Sequence, residues 1–261
     1  RRAEAGSKAK SRFLATMSHE LRTPLNGVLG SAAALKGTPL TESGAESLAA
    51  IEACGQSLLA LVSDAIDITS IETGGLSLSE APADLRDVIQ AVVTRHRPSA
   101  SAKGLALSLD LSEVQEPFVS IDSARLGQAL AHLVSNAVKF TDTGAILVRA
   151  RARDGQAVVE VSDTGCGLSQ EEQERIFRPF EQADNSTTRR FGGAGLGLAL
   201  AAGIAKAMGG SLTVRSERGK GATFSFSFRA PPAQPPQRAD TSAPPLGTGP
   251  AILLVEDNAI N

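Results

Sequence analysis

Two long stretches of helical periodicity near the start of the chain most limit what it can fold into. Apolar residues recur every three or four positions from about residue 4 to 36, and again from Thr41, a potential N-cap, to about Glu72. The second stretch has a main seam of Ile51, Cys54, Leu58, Leu61, Ala65 and Ile68. Two helices with stripes this wide cannot bury them against each other alone. We therefore expect two hairpins to form a dimeric four-helix bundle.

His19 lies on the polar side of the first predicted helix, roughly 160–200° from the neighbouring apolar residues of the stripe. Glu20 is beside it, and Thr23 follows one turn later on the same face. Pro24 removes the hydrogen bond to the carbonyl of Glu20 and predicts a bend just past the histidine. His19 is therefore either an idle surface residue or a group that meets a partner.

After Gly74-Gly75 the pattern changes to a mixture of strands and helices. Predicted strands are Leu76–Leu78, Leu105–Leu111, Ala145–Arg153, Ala157–Asp163, Ser211–Arg215 and Ala222–Phe228. Predicted helices run from Leu85, capped by Asp84, to about His96, from Asp122 to about Phe140, and onward from Gly195. Together they indicate a mixed α/β layer domain of roughly 155 residues. Residues 230–250 are proline-rich and read as an extended linker, followed by a short apolar strand, Ala251–Val255.

Composition narrows the class of protein. The 261 residues have room for roughly two domains, and a net charge of −2 gives no electrostatic footprint for nucleic acid. Cys54 and Cys166 have neither disulfide-framework nor metal-ligand spacing, which favours a reducing, cytoplasmic setting. No uninterrupted apolar run approaches the roughly 18 residues of a membrane span, so we expect no membrane contact from this segment. The abrupt ends suggest a piece of a longer protein.

Three short segments predict a nucleotide site when they are considered together. Asp163–Leu168 follows a strand and offers a carboxylate for an exocyclic amine, on a glycine turn that lets backbone approach a flat ring. Gly192–Leu198 precedes a helix, whose free N–H groups suit phosphates. Asn136 and Lys139 share a helix face and suit Mg²⁺ and phosphate. Each segment alone is weak evidence, since glycine turns and solvated helix faces are common.

Six motifs, in order from about residue 10 to 229, resemble those of the sensor histidine kinases. The H-box is Ser18–Leu25, the N-box Asn136–Phe140, the first glycine box Asp163–Gly167, the F-box Ile176–Gln182, the second glycine box Gly193–Leu198 and the closing motif Gly219–Phe224. The tail Ala251–Asn261 resembles the first strand of a receiver domain, which makes the parent similar to a hybrid histidine kinase.

The resemblance implies a multi-domain protein. A phosphoacceptor and dimerisation hairpin of HisKA type would occupy residues 1–73, and an ATP-binding α/β two-layer sandwich of the Bergerat (GHKL) type would occupy 74–229. The linker 230–250 would lead to a truncated receiver start at 251–261. The implied function is ATP-dependent autophosphorylation on histidine, followed by transfer to an aspartate of its own or a separate receiver. The implied partners are a second copy of the chain and that receiver, with ATP and Mg²⁺ as cofactors.

The resemblance also implies roles for individual residues. His19 would accept the γ-phosphoryl group, Glu20 would act as base or orienter, and Thr23 would orient a water for a phosphatase reaction. Asn136 would bind Mg²⁺ with ATP, and Lys139 would steady phosphate. The remaining implied nucleotide contacts are Phe140, Asp163 (to the adenine amine), Gly165, Gly167, Phe177, Gly193, Gly195, Leu196, Gly197 and Thr223 (helping Asp163 through water). Phe177 and Phe180 would begin a mobile lid through Ala183–Phe191, and Glu256 and Asp257 would be the Mg²⁺-binding acidic pair of an incomplete receiver site.

Departures from the motifs leave alternatives open. His132 stands where many relatives have a second asparagine; it could contact phosphate or metal, could make binding pH-sensitive, or could be a half-buried helix histidine. Ala194 removes one hydroxyl from the second glycine box. The alternative function is a scaffold or sensor that binds ATP and transfers nothing. A kinase whose resting role is phosphatase is a variant of the first function, and the long linker would allow a receiver to fold back and hold His19 at rest.

Overall fold

Residues 25–36, 40–181 and 195–235 are described by the computed structural model. The predictions for His19, Glu20, Thr23, Pro24, Gly193, the lid at 183–191, Glu256 and Asp257 lie outside the described residues.

The helical hairpin consists of α1, described over 25–36, and α2, Glu42–Glu72. Helix α2 begins where predicted, because the Thr41 side chain accepts a hydrogen bond from the Gly44 amide at 3.2 Å. The two helices touch where α2 has no side chain: a Cβ at Gly55 would lie 2.7 Å from Leu29 Cδ2. Lys36 and Glu52 add an ion pair of 2.6 Å.

Among the described residues, α2 is the one helix that is long and apolar enough, by length and composition alone, to cross a membrane. A single helix of this kind is weak evidence of a membrane span. Much of its apolar surface is exposed in the single chain.

The second part of the chain is an α/β sandwich. Its main sheet has the order β2-β4-β5-β7-β6, formed by β2 (Ala106–Val114), β4 (Ala145–Arg153), β5 (Gln156–Asp163), β7 (Ala222–Arg229) and β6 (Ser211–Ser216). Strands β2 and β4 are parallel and the other neighbours are antiparallel. A small antiparallel sheet pairs β1 (Ala81–Asp84) with β3 (Phe118–Ile121). The bounds of β4 agree with the prediction, and those of β2, β5, β6 and β7 agree within a few residues.

Helices α3 (Leu85–Ala102), α4 (Ser123–Phe140) and α6 (Gly197–Ala207) cover one face of the main sheet, and the short α5 is Gln170–Arg175. Alternate residues of β7 are buried, as expected of a strand with one covered face. The largest fully buried side chains between the layers include Leu85, Ile89, Leu126, Leu130, Leu133, Leu200, Ile204, Phe226 and Phe228. Each contributes about 1.5–3 kcal/mol by leaving water.

Some local predictions were wrong. Leu76–Leu78 is not a strand; both leucines pack on the core from an extended segment, and the strands β1 and β3 were missed. Alternation of apolar residues shows which side is buried but does not supply a partner strand. Helix α3 continues beyond His96 through Pro98, and α6 begins at Gly197 because Gly195 has a left-handed φ of +69°. Helix α5 was missed although Ser169 and Glu172 form a capping box at its start.

Candidate nucleotide-binding site

The end of α4 places the predicted N-box side chains. Asp122 caps the start of this helix by accepting from the Arg125 amide at 3.0 Å. At the other end, Asn136 and Lys139 are both half-buried, and burial lowers the pKa of the Lys139 ammonium. Lys139 Nζ lies 4.8 Å from the centre of the Phe140 ring.

Lys103, which follows the last residue of α3, donates hydrogen bonds to the C-terminal end of α4. Its ammonium donates to the backbone carbonyl oxygens of Val138 at 2.8 Å and Lys139 at 2.9 Å, with Thr141 at 3.4 Å. A cation at the negative end of a helix satisfies carbonyls that have no partner within the helix. Sequence reasoning missed this residue, because no local pattern connects α3 to the end of α4.

Asp163 ends β5 with one carboxylate oxygen already fixed. Oδ1 accepts hydrogen bonds from the amides of Gly165 at 2.8 Å and Ala222 at 3.3 Å. Burial raises the pKa of the carboxyl, and the two amide donors partly offset that rise. Since both donors in the described part of the chain use Oδ1, Oδ2 is available to accept from a ligand amine.

The turn after Asp163 packs too closely for side chains. A Cβ at Gly165 would collide with the carbonyl oxygen of Phe140, and the Cys166 amide donates to that same oxygen at 3.4 Å. Gly221, at φ +85°, lies against the backbone of Asp163. These contacts bring the end of α4, the first glycine box and the closing motif together in one place.

The described part of the second glycine box, Gly195–Leu198, contacts both the F-box and α4. Gly195 accepts from the Phe180 amide at 3.1 Å, and Leu196 is buried. Helix α6 begins at Gly197, where a Cβ would lie 2.7 Å from Nδ1 of His132. The N–H groups of the first turn of α6 therefore lie beside α4, and the N-terminus of a helix is a position that can bind anions.

Thr223 is not brought to Asp163. The register of β5 and β7 pairs Asp163 with Ala222, and Thr223 with Ser162, whose hydroxyl oxygen lies 2.9 Å from that of Thr223. Since side chains alternate along a strand, Thr223 faces the side of the sheet away from Asp163.

The F-box residues differ in exposure. Phe177 packs against the core, whereas Phe180 is 70% exposed and has a left-handed φ of +63°. Glu181 pairs with Arg175 at 2.8 Å and Arg178 at 3.4 Å, and these exposed arginines hold its pKa below the usual range.

The two cysteines are not joined in a disulfide. Cys54 and Cys166 are free, and burial, together with nearby carboxylates, raises the pKa of the Cys166 thiol and keeps it protonated. The described residues contain no group of three or more His, Cys, Asp or Glu side chains able to hold a metal ion. Asn136, half-buried near the end of α4, offers an amide oxygen of the kind that Mg²⁺ accepts as a ligand.

Two family models match the chain. Residues 9–74 match the His Kinase A (phospho-acceptor) domain, and residues 121–232 match the histidine kinase-, DNA gyrase B- and HSP90-like ATPase. The two matches together cover more than half of the chain, and their order is that of the two folded parts described above. The chain belongs to the histidine kinases. Its α/β part is the ATPase domain that resembles those of DNA gyrase B and HSP90.

Individual relatives agree with this membership. The chain is 36% identical over 271 residues to the autoinducer 2 sensor kinase/phosphatase LuxQ of Vibrio cholerae, covering 100% of this chain and 32% of that protein. It is 41% identical over 231 residues to the signal transduction histidine-protein kinase BarA of Escherichia coli, covering 87% and 25%. Full-length ShkA, solved in complex with AMPPNP, superposes with a TM-score of 0.72 at 38% identity, covering 87% of this chain and 48% of that one. The chain thus spans about a third or less of the length of LuxQ and BarA, and about half of that of ShkA.

Proposed function

We propose that this chain is the catalytic region of an ATP-dependent histidine kinase, which transfers the γ-phosphoryl group of ATP to His19 within a homodimer. The observation that carries the proposal is the anchored Asp163 carboxylate, which leaves one oxygen free on a turn packed against the last residue of α4, the helix that carries Asn136 and Lys139. The resemblance of the hairpin to the H-box supplies the acceptor.

Asp163 would bind the adenine end of ATP by accepting from its exocyclic amine through Oδ2. Gly165 and Gly167 would lie against the ring through their backbone. Within the protein they already pack on backbone, because a Cβ at either position would collide with the carbonyl oxygen of Phe140 or Glu217. Phe140 and Phe177 would border the pocket. We assign no role to Thr223, because its hydroxyl is on the other side of the sheet.

The phosphate end would lie toward Lys139 and the start of α6. The amide oxygen of Asn136 suits Mg²⁺, which supplies charge neutralisation on the phosphates and would take its other ligands from phosphate oxygens and water. Lys139 would oppose phosphate charge, and the N–H groups of Gly195, Leu196 and Gly197, which lead into α6, would donate to phosphate oxygens. Gly193 would extend this loop.

At the acceptor, an imidazole nitrogen of His19 would form an N–P bond as the bond from the γ-phosphorus to the bridging oxygen breaks. Glu20 would orient the ring and take the proton of the other nitrogen, which keeps the attacking lone pair free. Positioning and charge neutralisation would supply most of the rate enhancement. Thr23 would orient a water for the reverse, phosphatase reaction.

A homodimer is supported by the apolar surface that the hairpin leaves exposed. Along its two helices, Val28, Ile51 and Leu58 are each about half exposed, at 50%, 47% and 48%. A second hairpin would cover these side chains in a four-helix bundle. The bundle would belong to residues 1–73 and the ATPase domain to 74–229.

The downstream partner would be a receiver domain, in a cytoplasmic location. We propose that 230–250 is mainly linker, although its first residues pair with β3: the Ala233 amide donates to the Phe118 carbonyl at 2.9 Å. Residues 251–261 would begin a receiver in which Glu256 and Asp257 bind Mg²⁺. His19 would pass its phosphoryl group to the aspartate of this or a separate receiver.

Labelling with ATP that carries ³²P at the γ position tests the proposal. We expect acid-labile label on the wild-type chain and none on His19→Gln. Label that survives His19→Gln would overturn the assignment of the acceptor. A chain that binds Mg·ADP but never acquires label would instead be the ATP-binding scaffold. Phosphorylation within one subunit and phosphorylation between the two subunits of a dimer are then distinguished by mixing His19→Gln with Asp163→Asn subunits, because label appears in the mixed dimer only if one subunit phosphorylates its partner.

A further inference from the structure

The last turns of α2 are docked on the ATPase domain through a buried carboxylate. Asp64 is 7% exposed, and its oxygens lie 3.4 Å from Nε2 of His132 and 3.5 Å from Nε2 of Gln128, both on α4. A buried carboxylate costs free energy unless donors compensate it. Asp64 therefore ties α2 to α4 mainly through these two side chains.

A second pair of contacts lies one turn further along α2. Asp67 accepts from Arg125 at 2.6 Å and from Gln128 at 2.9 Å. Ile71 fits against α6 at Gly203, where an added Cβ would lie 2.5 Å from its Cδ1. We call these contacts, together with those of Asp64, the α2 dock.

His132 is the member of the α2 dock that also touches the nucleotide site. While Nε2 lies against Asp64, Nδ1 is packed beside Gly197, the first residue of α6, which has no side chain to separate the two. His132 is also one turn before Asn136 on the same helix. A movement of α2 that displaces this ring must therefore act on the start of α6.

We propose that His132 is a positioning residue that couples the docking of α2 to nucleotide binding. With α2 docked, Asp64 fixes the imidazole, and the imidazole in turn supports the first turn of α6, where the phosphates would lie. Undocking releases the ring and weakens nucleotide binding; by thermodynamic reciprocity, nucleotide strengthens the α2 dock by the same factor. This inference rests on the proposed function, since it assumes that the site binds nucleotide.

The α2 dock offers a matched control. Asp67 is the same residue type on the same helix, within the same set of contacts, but it pairs with Arg125 and Gln128 instead of His132. Asp67→Ala leaves Asp64 against His132 and Ile71 packed at Gly203, so that α2 stays docked, whereas Asp64→Ala removes the partner of the histidine.

The test is a double-mutant cycle on the dissociation constant of Mg·ADP, measured by calorimetry on the whole chain. We expect Asp64→Ala and His132→Ala each to weaken binding at least about fivefold, the lower end of typical coupling. The double variant should be no weaker than either single one, and Asp67→Ala should stay within about twofold of wild type. Fully additive effects, or an equal loss in Asp67→Ala, would overturn the proposal.

Two further measurements keep the test decisive. Hydrogen exchange at residues 64–72 should slow on adding Mg·ADP in the wild type but not in His132→Ala. His132→Gln keeps an N–H donor toward Asp64 and should retain most of the coupling, which also covers the case in which His132→Ala fails to fold.

Failure of the coupling can be told from failure of the proposed function. If the wild type binds no Mg·ADP, the proposed function has failed; if it binds but the cycle is additive, only the coupling has failed.

Discussion

Asp163 lies directly opposite Ala222 across strands β5 and β7, and the Ala222 amide donates to Oδ1 of Asp163 at 3.3 Å. The neighbouring Thr223 is paired with Ser162 and faces the other side of the sheet. On the face of the sheet where the Asp163 side chain lies, the neighbouring side chain of β7 is therefore the methyl group of Ala222 and not the hydroxyl of Thr223.

This arrangement predicts different outcomes for two substitutions. Thr223→Val should leave the dissociation constant of Mg·ADP within about twofold, whereas Asp163→Asn should weaken it more than about tenfold, because hydrogen bonds to a charged group contribute about 1.5–3 kcal/mol. Calorimetric titration of both variants checks this. A loss in Thr223→Val as large as that in Asp163→Asn would contradict the orientation of Thr223.

The raised pKa of Asp163 predicts a pH dependence of nucleotide binding. Ionised Asp163 is the stronger acceptor for an amine, so affinity should fall as pH decreases through its pKa, and at higher pH than the ordinary value of 3.8 would give. Titrating Mg·ADP affinity against pH measures this midpoint. Asp163→Asn should lack that component of the pH profile.

The same raised pKa has the opposite consequence for stability. A carboxyl whose folded-state pKa exceeds its unfolded value destabilises the fold when ionised, and this cost disappears as pH falls through the folded-state pKa. Asp163→Asn should therefore not lower the thermal midpoint of the nucleotide-free protein at neutral pH. A clear drop in that midpoint would show that the two amide hydrogen bonds outweigh burial.

Two glycines of the closing motif should respond differently to a methyl group. Gly219 and Gly221 have similar φ values of +78° and +85°, but only at Gly221 would the new Cβ meet the backbone of Asp163. Both substitutions by alanine incur the backbone strain of about 1–2 kcal/mol. Denaturant unfolding should show a larger loss in Gly221→Ala, and nucleotide affinity should fall only there; equal losses would exclude the close contact.

Lys103 should stabilise the end of α4 through its charge. Lys103→Met keeps the length of the chain but removes the donors to Val138 and Lys139, and should lower the free energy of unfolding by about 1–2 kcal/mol. Lys103→Arg serves as the control and should recover much of this loss. If methionine and arginine behave alike, the ammonium does not cap the helix.

The exposed apolar side of α2 predicts dimerisation. Leu58, 48% exposed in the single chain, should be covered in the dimer, so that Leu58→Glu shifts the protein toward monomer in light scattering after gel filtration. Gln56→Glu adds the same charge roughly 200° around the helix and should leave the dimer intact. A dimer unaffected by Leu58→Glu would require a different interface.

Much of the local structure could be predicted from the sequence. The caps at Thr41, Asp84 and Asp122 mark the starts of their helices because a short polar side chain there binds amides within its own first turn. The N-box at the end of α4 was also recognisable. So was the turn after Asp163, since glycine is required wherever backbone approaches backbone this closely. Such signals depend on residues a few positions apart.

What the tertiary structure alone decided are contacts between residues distant in the chain. The alternation at Leu76–Leu78 was real, but the partner strand was missing, so the segment packs without joining a sheet. Thr223 was assigned by motif, and the register of β7 against β5 then set the face on which it lies. His132 left three readings open until the docking of α2 supplied Asp64, because a side chain's role depends on the charges that packing brings to it, and no local pattern encodes those.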